Sequence, residues 1–526
     1  MKISELKLLI LHMEYPPIMG GGSRYTQDLI SGLVGRELHT VLITCGVEDS
    51  VEKINDFLTI KRFKALNEIY TFKGELMKGI SLLQNQIRLE APDILHTIYF
   101  EESLIGQIVN TSFGIPHFIT HTKNPMYKED NPVNNPAWSL FNYINADKST
   151  FFIAPSIAYK KCLIQSGVES NLVEVIYPGL NREVFRERAD GESQSLRQKL
   201  KINKNEILIL VSCVIRKRKG LDFIADAISK LSIPERKIKI IITGVPKSVE
   251  EENILSNFVK VVGQEKVITH GTFNDNEMPL LYNMADITLL CSEAEGLGIS
   301  LLEAMGCGCP VIGTNVLGIN EVIQDDKSGF LCNHGDTDKL NRSIVEIINN
   351  SVLRNNFISN SKMLLESKFS TVLQANKHIE LYLNAVNFNE YFCTTVVYRL
   401  LNDNLEILVK ENSDNDFSLP ESKKNKNVLW QETAVDIVKK ESGYEVEVPD
   451  YILSKDIIKK YPITRSDISK INSIVYAFEI SNTTPKSDSS EKTSLWLRYD
   501  LAIDKVASIN DKKSIETLHK LLQINN

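Results

Sequence analysis

At 526 residues, with 43 % hydrophobic and 24 % charged content, the chain has the composition of an ordinary globular protein and exceeds a single core, so two to four domains are expected. A formal net charge of −7 argues against a nucleic-acid-binding body, and no stretch of about 18 apolar residues is present to span a membrane. Eight cysteines scattered through apolar runs point to a reducing cytosol rather than a disulfide framework.

From the N-terminus, LKLLILHM predicts a buried first strand. It is too short to cross a membrane and lacks a cleavage-site pattern, so a cytoplasmic location is expected, with any membrane contact peripheral. EYPPIMGGGSRYTQDL then places Gly20, Gly21 and Gly22 between that strand and an amphipathic helix, where backbone N–H groups can approach a phosphate closely. Short apolar runs alternate with helical patterns through the first two thirds, as in LKLLIL, YTQDLISGLVGREL and TVLITCG, which predicts βαβ units and parallel sheets. His96 in PDILHTIYF and His121 in IPHFITHTKNP stand at predicted strand ends, with Lys123 beside His121; His117 lies mid-strand and reads as packing. Ser156 in FIAPSIAY and Pro178-Gly179 in IYPGLNREVF come next.

A second series opens after Gly179. Strands are predicted over 207–214, 238–244, 266–271, 286–291 and 309–314, with a helix over 221–231. VIRKRKGLDF brings Arg216, Lys217, Arg218, Lys219 and Gly220 to the end of the first of these strands. A pair of cations there lowers the cost of placing a leaving diphosphate in a partly dry cleft. Phe273 lies in HGTFNDNEMPLLYNMAD, and the fourth strand leads into SEAEGLGISLLEAMGCGCP. Glu295 falls in the loop and Glu303 one to two turns into a helix starting near Gly298. A spacing of eight residues is roughly 12 Å along a helix, so the two carboxylates suit opposite ends of an extended ligand such as a nucleotide sugar. The backbone through Gly296, Leu297, Gly298, Ile299 and Ser300 would face its diphosphate. Cys307-Gly308-Cys309, directly before Pro310 and without a second ligand pair, reads as small-residue packing rather than a zinc site.

The intact stretch EGLGISLLEAMGCGCPVIGT resembles the E-x7-E signature of retaining, nucleotide-sugar-dependent glycosyltransferases of family 4, which have the α/β GT-B architecture of two facing Rossmann-like domains. The resemblance implies an acceptor domain over 1–180, a donor domain over 181–370 and a return helix over about 371–388 that packs back on the first. It places Glu295 beside the donor sugar, Glu303 on the ribose hydroxyls, and Lys219 with either Arg216 or Arg218 on the diphosphate. Gly21 and Gly22 belong to a loop closing over donor and acceptor, His121 lies near the transferred sugar, and the segment carrying Phe273 meets the nucleobase. His96 and Lys123 are acceptor-side candidates; Ser156 and Pro178-Gly179 sit near the hinge, and Glu321 in GINEVI is a helix cap or structural carboxylate. The implied activity is retaining transfer from a nucleotide diphosphate sugar, UDP-linked as a family prior, to a hydroxyl of a glycan, glycolipid or small natural product. No convincing D-x-D metal motif is seen, so no obligatory metal or other cofactor is expected.

Composition changes near residue 390, and polar loops such as ENSDND and PESKKNKN surround a few predicted strands and helices. Residues 395–446 resemble a Nudix domain aligned through Glu441-Ser442-Gly443-Tyr444. The family's Arg-Glu becomes Asp436-Ile437, its Glu-Glu becomes Lys440-Glu441 and its Gly-Gly becomes Glu421-Ser422, so only Glu441 survives among the metal carboxylates and a hydrolytically inactive Nudix-like unit over 391–526 is expected. Its implied role is to bind acceptor, partner or a sister subunit. Two other readings are a nucleotide-sugar-binding scaffold with a decayed site, opposed by Glu295, Glu303 and Lys219, and a bifunctional transferase and pyrophosphohydrolase, opposed by the lost carboxylates.

Overall fold

The structure, a computed structural model, describes residues 2–401 apart from 19, 71–75, 121–149, 189, 232, 234–235, 269–272, 274–275 and 388–390, and beyond them 404–411, 417–423, 428–442, 451–456, 472–479, 494–506, 514–516 and 518–519. Two α/β sheets and one mixed sheet organise these residues.

The first sheet contains β1 (Lys7–Leu11), β2 (His39–Cys45), β3 (Ser50–Lys53), β4 (Leu58–Phe63), β5 (Ile94–Ile98), β6 (His117–Thr120), β7 (Thr150–Ala154) and β8 (Val173–Val175). Their order is β3-β4-β2-β1-β5-β6-β7-β8, parallel except for the antiparallel edge strand β3. The second holds β9 (Ile207–Val211), β10 (Ile238–Ile242), β11 (Val267–Ile268), β12 (Ile287–Leu290), β13 (Val311–Thr314) and β14 (Phe330–Cys332), all parallel, in the order β11-β10-β9-β12-β13-β14. Every residue of β9, ILILV, is buried, as a strand covered by helices on both faces requires. Each of the five predicted runs contains a strand. β14 had no counterpart in the pattern, being only three residues long.

Strand succession reverses between β1 and β5 in the first sheet and between β9 and β12 in the second. In such doubly wound sheets, ligands lie beyond the carboxyl ends of the strands at these reversals. The chain places its glycine loop and its two-glutamate segment there.

The helix Thr371–Asn387 crosses back onto the first unit and buries Ala375, Ile379, Tyr382 and Ala385 in one core with Leu29, Leu33 and Phe118. Gly32 makes the approach possible, because a Cβ there would lie 2.6 Å from the Thr371 carbonyl oxygen. This helix also overturns the acceptor-side expectation for His96. That ring is fully buried, with Nδ1 2.6 Å from Tyr382 Oη and Nε2 2.7 Å from Thr120 Oγ1, so it presents no face to the cleft. His378 stacks beside it, ring centroids 5.8 Å apart.

Burial pushes both imidazoles toward the neutral form, His96 well below the ordinary range and His378 to about 4. The unfolded chain takes up protons that the folded core refuses. Their contribution is therefore complete above the unfolded value near 6.5 and is lost as pH falls below it, at about 1.4 kcal/mol per pH unit for His378 down to about 4, with His96 acting in the same direction. Urea midpoints should hold steady down to about pH 6.5 and then decline. A His378→Gln variant should show a shallower decline; identical slopes would contradict this assignment.

The third sheet is built from β15 (Tyr391–Leu401), β16 (Asn404–Glu411), β17 (Phe417–Ser418), β18 (Glu421–Lys423), β19 (Tyr451–Asp456), β20 (Asn472–Glu479) and β21 (Ser494–Arg498). β15 and β20 are parallel and the other pairs antiparallel. Its helix Trp430–Ser442 docks on the first unit: Trp430 fills the space left by Gly114, Leu429 packs against that unit's core, and Arg88 pairs with Glu432 at 2.7 Å. No helix among the described residues is long and apolar enough to cross a membrane.

Candidate functional site

After β9 the chain makes a short turn, Lys217–Lys219, and reaches Gly220 at φ 65°. A Cβ on Gly220 would lie 2.2 Å from the Cys291 carbonyl oxygen, so only glycine lets this loop press against the end of β12. The Glu293 N–H seals the contact by donating to the Arg218 carbonyl at 2.8 Å. Lys219 Nζ thereby comes 2.5 Å from Glu295 Oε2, with the lysine only 8 % exposed. Ser292 Oγ donates to the same oxygen at 3.2 Å, and the Gly296 N–H donates to Oε1 at 3.3 Å. Burial alone would push the Glu295 carboxyl up, but the Lys219 and Arg218 charges outweigh it and hold the group below the usual carboxylate range. The site is thus a formed ion pair at neutral pH. Arg216 is solvent-exposed, whereas Arg218 is half-buried and acts on Glu295.

Gly296 touches the ring of Tyr159, which a Cβ would meet at 2.3 Å, and its carbonyl accepts from Ser156 Oγ at 2.6 Å. Leu297 is buried, and Gly298, at φ 86°, starts the helix Ile299–Gly306 with Ile299 and Ser300 partly accessible at its first turn. On that helix Glu303 accepts from Tyr282 Oη at 2.8 Å, and Ser212 Oγ lies 2.7 Å from the same phenol. From the first unit Arg24 reaches across, with Nε 3.8 Å from Glu303 Oε1 and its guanidinium 5.0 Å from the Phe185 ring centroid. The two glutamates therefore have separate partners, as two ends of one ligand would require.

The structure places Gly21 and Gly22 in the first turn of the helix Gly21–Val34 rather than in the loop; a Cβ on Gly22 would meet Tyr99 Oη at 2.1 Å, while Gly21 has open space around it. Phe273 packs on the core of the second unit. His117 is tied to Thr97 Oγ1 at 2.9 Å and Gln107 Oε1 at 3.1 Å, in keeping with packing. His121 and Lys123 lie outside the described residues. Cys307 and Cys309 are buried, and Cys309 Sγ lies 3.2 Å from Thr288 Oγ1.

Two family descriptions match consecutive stretches of this chain: Glycosyltransferase Family 4 over residues 19–184 and Glycosyl transferases group 1 over residues 192–363. The chain is a glycosyltransferase of the GT-B fold. It is 24 % identical over 369 residues to an uncharacterised glycosyltransferase of Methanocaldococcus jannaschii, covering 69 % of this chain and 94 % of that protein. Over 214 residues it is 28 % identical to the N-acetyl-alpha-D-glucosaminyl L-malate synthase of Bacillus anthracis, covering 41 % of this chain and 54 % of the synthase. Its fold is similar to sucrose-phosphate synthase of Thermosynechococcus elongatus (TM-score 0.62, 18 % identity, 72 % of this chain and 98 % of that one). It is also similar to Anabaena HepE in complex with UDP and glucose (TM-score 0.58, 18 % identity, 71 % and 98 %).

In this glycosyltransferase the two parallel-sheet units are clasped on the side of Ser156. Glu321 accepts from the Ile157 and Ala158 N–H groups at 2.8 and 2.9 Å and from Tyr177 Oη at 2.7 Å. It caps a helix of the other unit, Ile157–Gln165, rather than its own. Its partners stand 164 and 163 residues away, so no local pattern reveals them. Arg24, Tyr282 and Ser212 were missed for the same reason. Glu321→Ala should destabilise the folded chain by about 1–2 kcal/mol, the cost of losing a helix cap, with donor binding retained. Thermal melts of the variant with and without UDP check both parts.

Proposed function

We propose that the protein transfers a sugar from a UDP-sugar to an acceptor hydroxyl with retention at the anomeric carbon and without an obligatory metal. The observation that carries this reading is the Lys219–Glu295 ion pair at the reversal between β9 and β12, with Glu303 set apart on the helix that begins at Gly298. Lys219 and Arg218 would meet the diphosphate, Glu295 the donor-sugar hydroxyls and Glu303 the ribose hydroxyls. The N–H groups at the start of the helix Ile299–Gly306 add fixed positive charge on the same side. HepE, solved with UDP and glucose, supports the choice of carrier.

In the proposed step the acceptor oxygen bonds to the anomeric carbon on the face from which the diphosphate departs. The carbon–oxygen bond to phosphate breaks with its electron pair going to the diphosphate, which takes the acceptor proton. The protein supplies position and charge rather than a dedicated base. Residues 391–526 are proposed to form a Nudix-like unit without hydrolase activity. Its remaining carboxylate, Glu441, is engaged by Lys410 Nζ at 3.3 Å and Ser494 Oγ at 3.1 Å, and the neighbouring Ile437 supplies no ligand.

The test is to incubate the full chain with UDP-hexoses and a panel of sugar acceptors, with and without EDTA, and to read the anomeric coupling constant of the product by proton NMR. Products that keep the donor configuration and form equally well in EDTA support the proposal. Inverted products, or turnover that demands a divalent cation, would contradict it.

A further inference from the structure

The first sheet has its own reversal, and side chains there play no part in the donor assignment. Glu14 follows β1, Tyr99 follows β5, and Tyr70 ends the helix Lys64–Tyr70 after β4. Tyr99 Oη donates to Glu14 Oε2 at 3.0 Å and Tyr70 Oη donates to Oε1 at 3.1 Å. The carboxylate is half-buried and lies directly beneath the glycine loop, since a Cβ on Gly20 would stand 2.9 Å from Oε2. Gly22 leaves room for the Tyr99 phenol, and Tyr99 itself is held at φ 75°, a backbone conformation uncommon for a bulky residue. Behind them the Met13 N–H donates to the buried Glu102 at 2.8 Å and fixes the end of the strand.

We propose that Glu14, held by Tyr70 and Tyr99, is the acceptor subsite of this transferase and selects an uncharged, hydroxyl-rich glycosyl unit over an acceptor bearing carboxylate or phosphate. This rests on the transferase reading above and names the acceptor class for it. A carboxylate offers about four acceptor positions, and the two phenols use two of them among the described residues, leaving acceptor capacity for sugar hydroxyls. A fixed negative charge at that point repels an anionic acceptor. Among the described residues, Arg62 lies against the Tyr15 ring, 5.9 Å from its centroid, and Arg24 pairs with Glu303. Tyrosine rings beside a carboxylate combine an apolar face with hydrogen-bonding groups, which suits a sugar ring. The place is also the right one, because the loop above Glu14 leads at Gly21 into the helix Gly21–Val34, whose Arg24 meets Glu303 of the donor side.

The experiment is saturation-transfer NMR on the full chain in the presence of UDP. The probes are methyl α-D-glucopyranoside and methyl β-D-galactopyranoside, set against glucose 6-phosphate and L-malate. Wild type should bind a neutral glycoside and neither anion, and Glu14→Gln should weaken that binding about fivefold or more while UDP binding by calorimetry is unchanged. Tyr70→Phe keeps the charge and should weaken it less; it carries the test if Glu14→Gln does not fold. Preference for glucose 6-phosphate or malate, failure to bind any neutral glycoside, or equal glycoside binding by wild type and both variants would overturn the proposal. Failure of wild type to bind UDP would instead overturn the transferase reading, and the glycoside measurements would still report on Glu14.

Discussion

Replacing Lys219 with alanine should lower the rate of sugar transfer by about 10²–10³-fold, the usual loss when one preorganised group facing developing charge is removed. The reason lies in where the lysine is held. It is 8 % exposed, locked 2.5 Å from Glu295, and carried by a loop whose Arg218 carbonyl accepts from the Glu293 N–H in the segment that bears that glutamate. In the proposed mechanism, departure of the diphosphate would concentrate negative charge at this point, and a positioned ammonium would stabilise it without reorganising water. The substitution also leaves Glu295 partly buried without its principal cation, so a lower melting temperature is expected alongside the kinetic loss. Lys219→Arg restores the charge but not the compact geometry and should recover the melting temperature more than the rate. Initial rates and thermal melts of the two variants, measured together, check the argument. Equal loss of rate and stability in both would point to a purely structural lysine.

Gly220→Ala should be at least as damaging. A residue with a Cβ at φ 65° costs about 1–2 kcal/mol in backbone strain alone. Here the added carbon would also lie 2.2 Å from the Cys291 carbonyl oxygen, a backbone atom that cannot move aside without opening the junction of β9 and β12. A total loss of about 3 kcal/mol or more is expected, on the order of 6–12 °C in melting temperature for a unit of this size. Because the same junction brings Lys219 to Glu295, UDP binding should fall with it. Gly191→Ala is the matched control: it lies in the helix Asp190–Lys199 with nothing within 4 Å of the added carbon and should be neutral or slightly stabilising. Differential scanning fluorimetry of the pair is sufficient. A Gly220→Ala protein that melts like wild type would show that the close approach is not needed.

How far the chain could be read before its structure depends on distance along it. The strands of the second sheet were legible because continuous apolar runs such as ILILV are what a doubly covered parallel strand demands, and β14 escaped because three residues carry no period. Lys219, Glu295 and Glu303 could be singled out because each lies in a compact motif after a strand, and the structure pairs the first two and sets the third apart. His96 was misjudged for a geometric reason. A strand end does not disclose which face its side chain leaves by, and the element that covers His96 carries Tyr382, 286 residues later. Arg24 on Glu303 and Glu321 on the Ile157 helix are contacts between units, and neither residue has a local signature of its partner.

Calorimetric titration of UDP into the full chain in EDTA, repeated with Lys219→Ala, tests the central claim most directly. The account predicts one metal-independent site in wild type, weakened at least about tenfold in the variant, the scale of a lost charge-assisted contact to phosphate. Absence of binding in wild type, or equal affinity in the two proteins, would contradict a nucleotide-sugar site built around the Lys219–Glu295 pair.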